Sequence, residues 1–392
     1  MNDNSVDNFS TIDGREPDDC CAADNNRESD DCYAAGTSCG EAAVIESVKE
    51  YYGKTLRSTE DLEAGACCSP EGPPAEIKAV LPLIADEILS RFYGCGSPLP
   101  PLLSGMTVLD LGCGTGRDVY IASKLVGESG SVIGVDMTSE QIETAMKYQE
   151  EQRERFGYAK SNVRFCRGYI EDLKSLGIED NSVDVVISNC VINLSPAKER
   201  VFKEIYRVLK PGGELFFADV FSDRRIPEAL AADPVLHGEC LGGTLYTEDF
   251  RRIMARCGWA DFRYTSIRDL ELDNEKIEEK LGFVTFSSRT VRAFKLDDLE
   301  DICEDYGQAA YYDGSIPGHP HYFDLDDHHR FFNGKPMLVC GNTASMLQNT
   351  RYSKAFKVVG DRSVHFGVFG GCSPESKDDA NSDGAPPSGL CC

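Results

Sequence analysis

The stretch Val108-Leu109-Asp110-Leu111-Gly112-Cys113-Gly114-Thr115-Gly116 constrains this chain more than any other. Its first half, with Met106, is apolar enough for a short buried strand. Three glycines at alternate positions then demand a sharp turn. Arg117 to Leu125 follows with Val119, Ile121, Ala122 and Leu125 at helical spacing. Strand, glycine turn and helix open a nucleotide-binding βαβ unit. Glycine lets the backbone turn and lets a ligand come close with no Cβ in the way. The free N–H groups of the helix start face that ligand. A glycine turn alone fits a loop that binds nothing equally well, so its neighbours decide the matter.

The pattern here is Asp-x-Gly-x-Gly-x-Gly, not Gly-x-Gly-x-x-Gly. A carboxylate directly before the glycines, Asp110, repels a pyrophosphate and suits the ammonium of an amino acid. The next strand, Ser131 to Val135, ends in Asp136. An acidic residue about 20 residues beyond the glycine turn accepts the ribose hydroxyls of an adenosine. Amino acid plus adenosine describes S-adenosylmethionine. Asp110, Gly112, Gly114, Gly116 and Asp136 are therefore expected to bind the donor. After the third strand, Val163 to Cys166, Glu171-Asp172 is expected near the adenine or, failing that, in a solvated turn.

Further elements keep the strand–helix rhythm. Helices are expected at 42–52, 75–89, 139–155, 197–209 and 247–257, the last with Thr247 as N-cap. Val183 to Ser188 is near-continuously apolar, as in a buried parallel strand. Lys210-Pro211-Gly212-Gly213 stops a helix ahead of a strand over 214–220. Thr290 to Lys295 belongs, on this reading, to a second region.

Net charge is −26, which argues against nucleic acid or an anionic membrane as partner. Residues 1–40 carry ten acidic and two basic residues, so a disordered acidic tail is expected there. No apolar run approaches the roughly 20 residues of a membrane span, and no signal or transit peptide is visible at Met1. A cytoplasmic protein is expected. Seventeen cysteines are then reduced thiols, and no Cys-x-x-Cys spacing points to zinc. Cys20-Cys21, Cys67-Cys68 and Cys391-Cys392 are adjacent pairs. Thiolates prefer soft centres. Most of the seventeen are expected to be small buried hydrophobes or tail thiols. His319, His321, His328 and His329 fall within eleven positions. A metal site is the sharp reading of that cluster, and structural polar contacts are the expected one.

With these residues in hand, the chain resembles the arsenite methyltransferases over about residues 44–371. The most specific pieces are Arg91-Phe92-Tyr93-Gly94-Cys95-Gly96, Gly134-Val135-Asp136-Met137, Ser188-Asn189-Cys190-Val191-Ile192-Asn193-Leu194 and Gly238-Glu239-Cys240-Leu241-Gly242-Gly243. The resemblance implies an α/β fold: a Rossmann-like class I methyltransferase sheet with helices on both faces, plus a smaller C-terminal domain. It implies that Cys190 and Cys240 bind trivalent arsenic. Cys95 and an upstream cysteine, Cys67 or its neighbour Cys68, would join them and take part in disulfide cycling. Donor contacts extend to Met137, Ile170, Glu171 and Asn189, and Tyr93 lines the transfer site. Cys113 is read as a small spacer. The implied co-reactants are S-adenosylmethionine and an external thiol reductant, glutathione or thioredoxin, and a monomer is expected. The divisions expected are a tail over 1–41, the methyltransferase domain with its arsenic-binding segment over 42–270, the C-terminal domain over 271–371, and a cysteine-ended tail over 372–392.

The chemistry is coherent. A sulfonium offers an electrophilic methyl, and thiolate-bound trivalent arsenic offers a lone pair and has no proton to lose, so no general base is needed. A free cysteine has a pKa of about 8.5, so binding to a soft centre drives its deprotonation. Two rivals remain: a methyltransferase acting on carbon in a quinone or sterol, and a thiol protein that sequesters soft metals without turnover. The first predicts indifference to Cys190 and Cys240, the second to Asp110 and Asp136.

Overall fold

The computed structural model describes residues 37–55, 72–92, 94, 96, 98–231, 233–238, 240–272 and 274–370. The readings made for both tails, and for Cys67, Cys68, Tyr93 and Cys95, lie outside the described residues. The chain opens with α1 (Cys39–Glu50), whose first turn is closed by a capping box between Ser38 and Glu41, and continues as a π-helical turn, Tyr51–Thr55. The helix expected over 75–89 is two short ones, α2 (Ala75–Val80) and α3 (Asp86–Ser90), with a 3-10 turn between them. Pro82 explains the break, because its ring removes a helical N–H and crowds the preceding turn.

The methyltransferase core alternates β1 (Thr107–Leu111), α4 (Arg117–Val126), β2 (Ser131–Asp136), α5 (Ser139–Lys147), α6 (Gln149–Phe156), β3 (Val163–Arg167), β4 (Val183–Asn189), α7 (Lys198–Val208) and β5 (Leu209–Ser222). One helix was expected over 139–155. It is interrupted at Tyr148, whose hydroxyl donates to Glu87 of α3. Next come α8 (Glu228–Ala231), α9 (Pro234–Gly238), β6 (Leu245–Tyr246), α10 (Thr247–Arg256), β7 (Arg263–Leu270), α11 (Glu275–Leu281) and β8 (Phe286–Phe294). Thr247 is not the N-cap of α10. Tyr246 holds that position without a side-chain hydrogen bond, and the acidic first turn, Glu248 and Asp249, favours the helix start instead.

The eight strands form one sheet in the order β3-β2-β1-β4-β5-β8-β7, with β6 beside the end of β5. β1 to β5 are parallel, and β8 and β7 are antiparallel additions. Both faces are buried, one under α7 and α10 against Phe202, Phe217 and Phe250, the other under α2, α3 and α4 against Tyr120 and Ile88. The division expected at 270/271 therefore falls between two hydrogen-bonded neighbours of this sheet, and Thr290 to Phe294 belongs to it.

Beyond it lie β9 (Glu304–Asp305), β10 (Gln308–Tyr312), β11 (Tyr322–Asp324), β12 (Arg330–Phe332), β13 (Pro336–Val339), α12 (Gly341–Gln348), β14 (Phe356–Val359) and β15 (Gly367–Val368). A three-stranded sheet, β13-β10-β14, covers a separate core that includes Phe323, Phe331 and Tyr352. The seam to the large sheet joins apolar packing, with Phe294 of β8 against Tyr352, to buried ionic contacts. Buried Arg292 of β8 donates to Glu214 at 2.7 Å, and half-buried Arg351 pairs with the same carboxylate. Of the histidine cluster, only His329 is buried, with Nδ1 2.8 Å from Asp326. Burial pushes the Asp326 carboxyl up, yet His329 and Arg263 hold it well below the usual range. Asp326, Asp327 and His328 have ligand atoms within 4.8 Å of one another. Among the described residues no helix is long and apolar enough to cross a membrane.

Candidate active site

Parallel strands deliver their carboxyl ends to one edge, and there the chain opens a cleft. The glycine turn forms its floor. Gly112, Gly114 and Gly116 all have left-handed backbone, at φ +69°, +51° and +88°. Gly112 and Cys113 donate their N–H groups to Val135, tying the turn to β2. The close approach is tightest at Gly112, where a Cβ would stand 2.4 Å from the Val191 side chain. Asp136 accepts the N–H of Gly114 at 2.9 Å and of Thr138 at 2.8 Å.

Asp110, Gly112, Gly114, Asp136, Met137, Ile170, Glu171 and Asn189 all line the cleft. Gly116 does not. It precedes α4, and its missing Cβ leaves room for Phe165. Asp172 turns away to accept from Ser175, whereas Glu171 accepts from Ser195 at 2.5 Å. Cys113 also faces the cleft, its thiol pushed up by burial.

Three lining residues carry no obvious mark in the sequence. Asp118, in the first turn of α4, sets a third carboxylate beside Asp110 and Asp136. An acidic residue in a helix's first turn reads as dipole complementation, which hid it. Gln141 of α5 and Tyr52, just past α1, are the others. Asp110 is pushed well above the usual carboxylate range, first by burial and then by Asp118 and Asp136. Burial raises Asp136 too, opposed by the N–H groups it accepts. A cation entering the cleft relieves this repulsion. Two buried acceptors, Asn189 Oδ1 and Gln141 Oε1, have no hydrogen-bond partner among the described residues. A cluster of carboxylates and two unfilled acceptors fit a ligand with an ammonium, a sulfonium and an amino-purine.

Cys190 stands immediately past β4 and lines the same cleft. Its N–H donates to Ala218 of β5 at 2.8 Å. Cys240 follows α9 and is fully buried behind it, its thiol donating to the Cys190 carbonyl at 3.0 Å. Both cysteines have left-handed backbone, at φ +56° and +63°, and only two other described non-glycine residues do. Such conformations cost about 1–3 kcal/mol each and persist where the surroundings over-determine them, often at functional sites. Cys190 is disulfide-bonded in this structure, and none of the free cysteines 113, 166, 240, 257, 303 and 340 is its partner. Thiolate ligation by Cys190 requires its reduced form.

The chain's similarities agree with this geometry. A family described as "Methyltransferase domain" matches residues 102–258, and one described as "Arsenite methyltransferase C-terminal domain" matches residues 306–383. An arsenite methyltransferase of Aquipseudomonas alcaligenes is 53% identical over 327 residues, 83% of this chain and 94% of that protein. The mouse arsenite methyltransferase is 41% identical over 316 residues, covering 80% and 83% respectively. The crystal structure of an arsenic(III) S-adenosylmethionine methyltransferase from Chlamydomonas reinhardtii superposes with a TM-score of 0.74 at 50% identity, covering 76% of this chain and 100% of that one. Fold, site edge and similarity over about four fifths of its length together place this chain in the arsenite methyltransferase family.

Proposed function

We propose that this chain transfers methyl groups from S-adenosylmethionine to trivalent arsenic held by thiolates, giving mono- and dimethylated arsenicals. The observation that carries this reading is that Cys190, backed by Cys240, opens into the cleft that presents Asp110, Asp118 and Asp136. When bound, the donor supplies a methyl made electrophilic by its sulfonium. Asp110 and Asp118 favour the cationic head of that donor, and Asp136 faces its ribose. Asn189 and Gln141 offer their unfilled oxygens to its N–H groups. Ile45 and Val48 of α1 line the cleft and limit water near the reacting sulfur. Cys190 and Cys240 hold the arsenic with its lone pair toward the methyl, and no residue has to remove a proton from it. Cys67, or Cys68, and Cys95 complete the thiolate set and exchange disulfides as arsenic is methylated. An external thiol, glutathione or thioredoxin, returns Cys190 to its reduced form. We propose a cytoplasmic monomer.

The test is turnover. Reduced protein, S-adenosylmethionine, glutathione and arsenite are expected to yield methylated arsenic, detected by chromatography with mass detection. Cys190→Ser is expected to lose at least about a hundredfold of that rate while still binding S-adenosylhomocysteine. Wild-type protein that binds donor and yields no methylated arsenic would sink the reading in favour of a carbon acceptor.

A further inference from the structure

Three residues past Cys190, within the 3-10 turn Ile192–Leu194, lies Asn193, fully buried. Every polar group it has is used. Its N–H donates to one Asp219 carboxylate oxygen at 3.1 Å, and its side-chain amide donates to the other oxygen at 2.7 Å and to the Val220 carbonyl at 2.7 Å. Its side-chain carbonyl accepts the Leu245 N–H at 3.1 Å, and its backbone carbonyl accepts from Lys198 at 3.0 Å. Leu245 starts β6, five residues past Cys240. One amide thus joins the turn after Cys190, the end of β5 and the strand after Cys240.

The Cys240 loop also lies directly on that turn. A Cβ added to Gly243 would stand 2.1 Å from the Asn193 carbonyl oxygen. The Thr244 hydroxyl reaches back and donates to the Cys240 carbonyl at 2.9 Å. Both cysteines hold strained left-handed backbone, which relaxes unless neighbouring segments are pinned.

We propose that Asn193, anchored by Asp219, is a positioning residue that sets the Cys190 and Cys240 loops at the one spacing that lets both sulfurs ligate a single arsenic. This rests on the reading that both cysteines are arsenic ligands. Neither Asn193 nor Asp219 lines the donor cleft. Loss of the brace therefore weakens chelation more than donor binding, because two thiolates act as a chelate only while their separation is fixed.

The experiment compares Asn193→Ala and Asp219→Asn with wild type in the presence of a phosphine reductant. The readouts are KM for arsenite with glutathione, KM for S-adenosylmethionine, calorimetric binding of S-adenosylhomocysteine, and melting temperature. The expected result is an arsenite KM raised by about tenfold or more, with donor KM and S-adenosylhomocysteine affinity within about twofold. Unchanged arsenite KM in both variants overturns the proposal. So does a parallel loss of donor and arsenite binding, or failure of both variants to fold, since either marks Asn193 as a general folding residue. Cys190→Ser and Cys240→Ser run alongside. If they keep wild-type arsenite KM and turnover, the ligand assignment itself falls instead.

Discussion

The proposed donor side and the proposed acceptor side of the cleft solve the same backbone problem with different residues. At the exit of β1 the chain must enter left-handed conformation three times, and it does so with Gly112, Gly114 and Gly116. Glycine takes that conformation at no steric cost. At the exit of β4, and again after α9, the chain enters it with Cys190 and Cys240. A side chain there costs about 1–2 kcal/mol per residue. On the donor side only backbone is wanted near the ligand, so the side chain is dispensed with. On the acceptor side the sulfur is the point, so strain is accepted and held by hydrogen bonds from distant segments.

The two sides touch where Gly112 meets Val191, the residue after Cys190. Gly112→Ala is therefore expected to break both sides together. It adds a Cβ in left-handed backbone against a valine, and donor affinity by calorimetry is expected to fall by about a hundredfold or more, with arsenite KM rising too. An arsenite KM left at the wild-type value would show that the sides are mechanically separate. Asp136→Asn is expected to hurt the donor side alone, raising donor KM by about tenfold through weaker acceptance from Gly114, Thr138 and the donor. Arsenite KM is expected to stay within about twofold.

Buried carboxyls sharpen the contrast. Asp110 faces the cleft, where a cation can favour its charged form. Asp219 is enclosed by N–H donors, and burial raises it to about 7. Its folded pKa exceeds its unfolded value, so its contribution to stability is complete at low pH and is lost as pH rises through about 7. The denaturant midpoint is expected to fall between about pH 4 and about pH 8, and Asp219→Asn is expected to flatten part of that slope. The smallest effect tests the strain directly. Cys240→Gly is expected to be about 1 kcal/mol more stable than Cys240→Ala by denaturant unfolding, although both lose the thiol. Equal midpoints would mean that the left-handed backbone at 240 costs nothing.

Much of the donor side was legible before the structure, because its signals are local. The glycine turn, Asp110 before it and Asp136 at the end of β2 each follow from residues close together in the chain. Gly116 shares the pattern but precedes α4, outside the cleft lining, where an added Cβ would meet Phe165. Asp118 and Gln141 went unread because nothing near them in sequence distinguishes a helix side chain aimed into a cleft from a solvated one. Pro82 broke one expected helix through a lost N–H, readable in retrospect, whereas the interruption at Tyr148 has no mark of that kind in the sequence.

By itself the sequence determined the alternation of strands and helices, the turn geometry at β1 and the thiols within the chain's most specific motifs. These depend on backbone preference and hydrophobic period over a few neighbouring residues. Only the tertiary structure decided that β8 joins the large sheet, that Cys240 packs behind Cys190, and that Asn193 ties their loops together. Those outcomes rest on contacts between residues about fifty or more apart in the chain, as from Cys190 to Cys240. Such contacts are set by packing and hydrogen bonding, which no local pattern encodes.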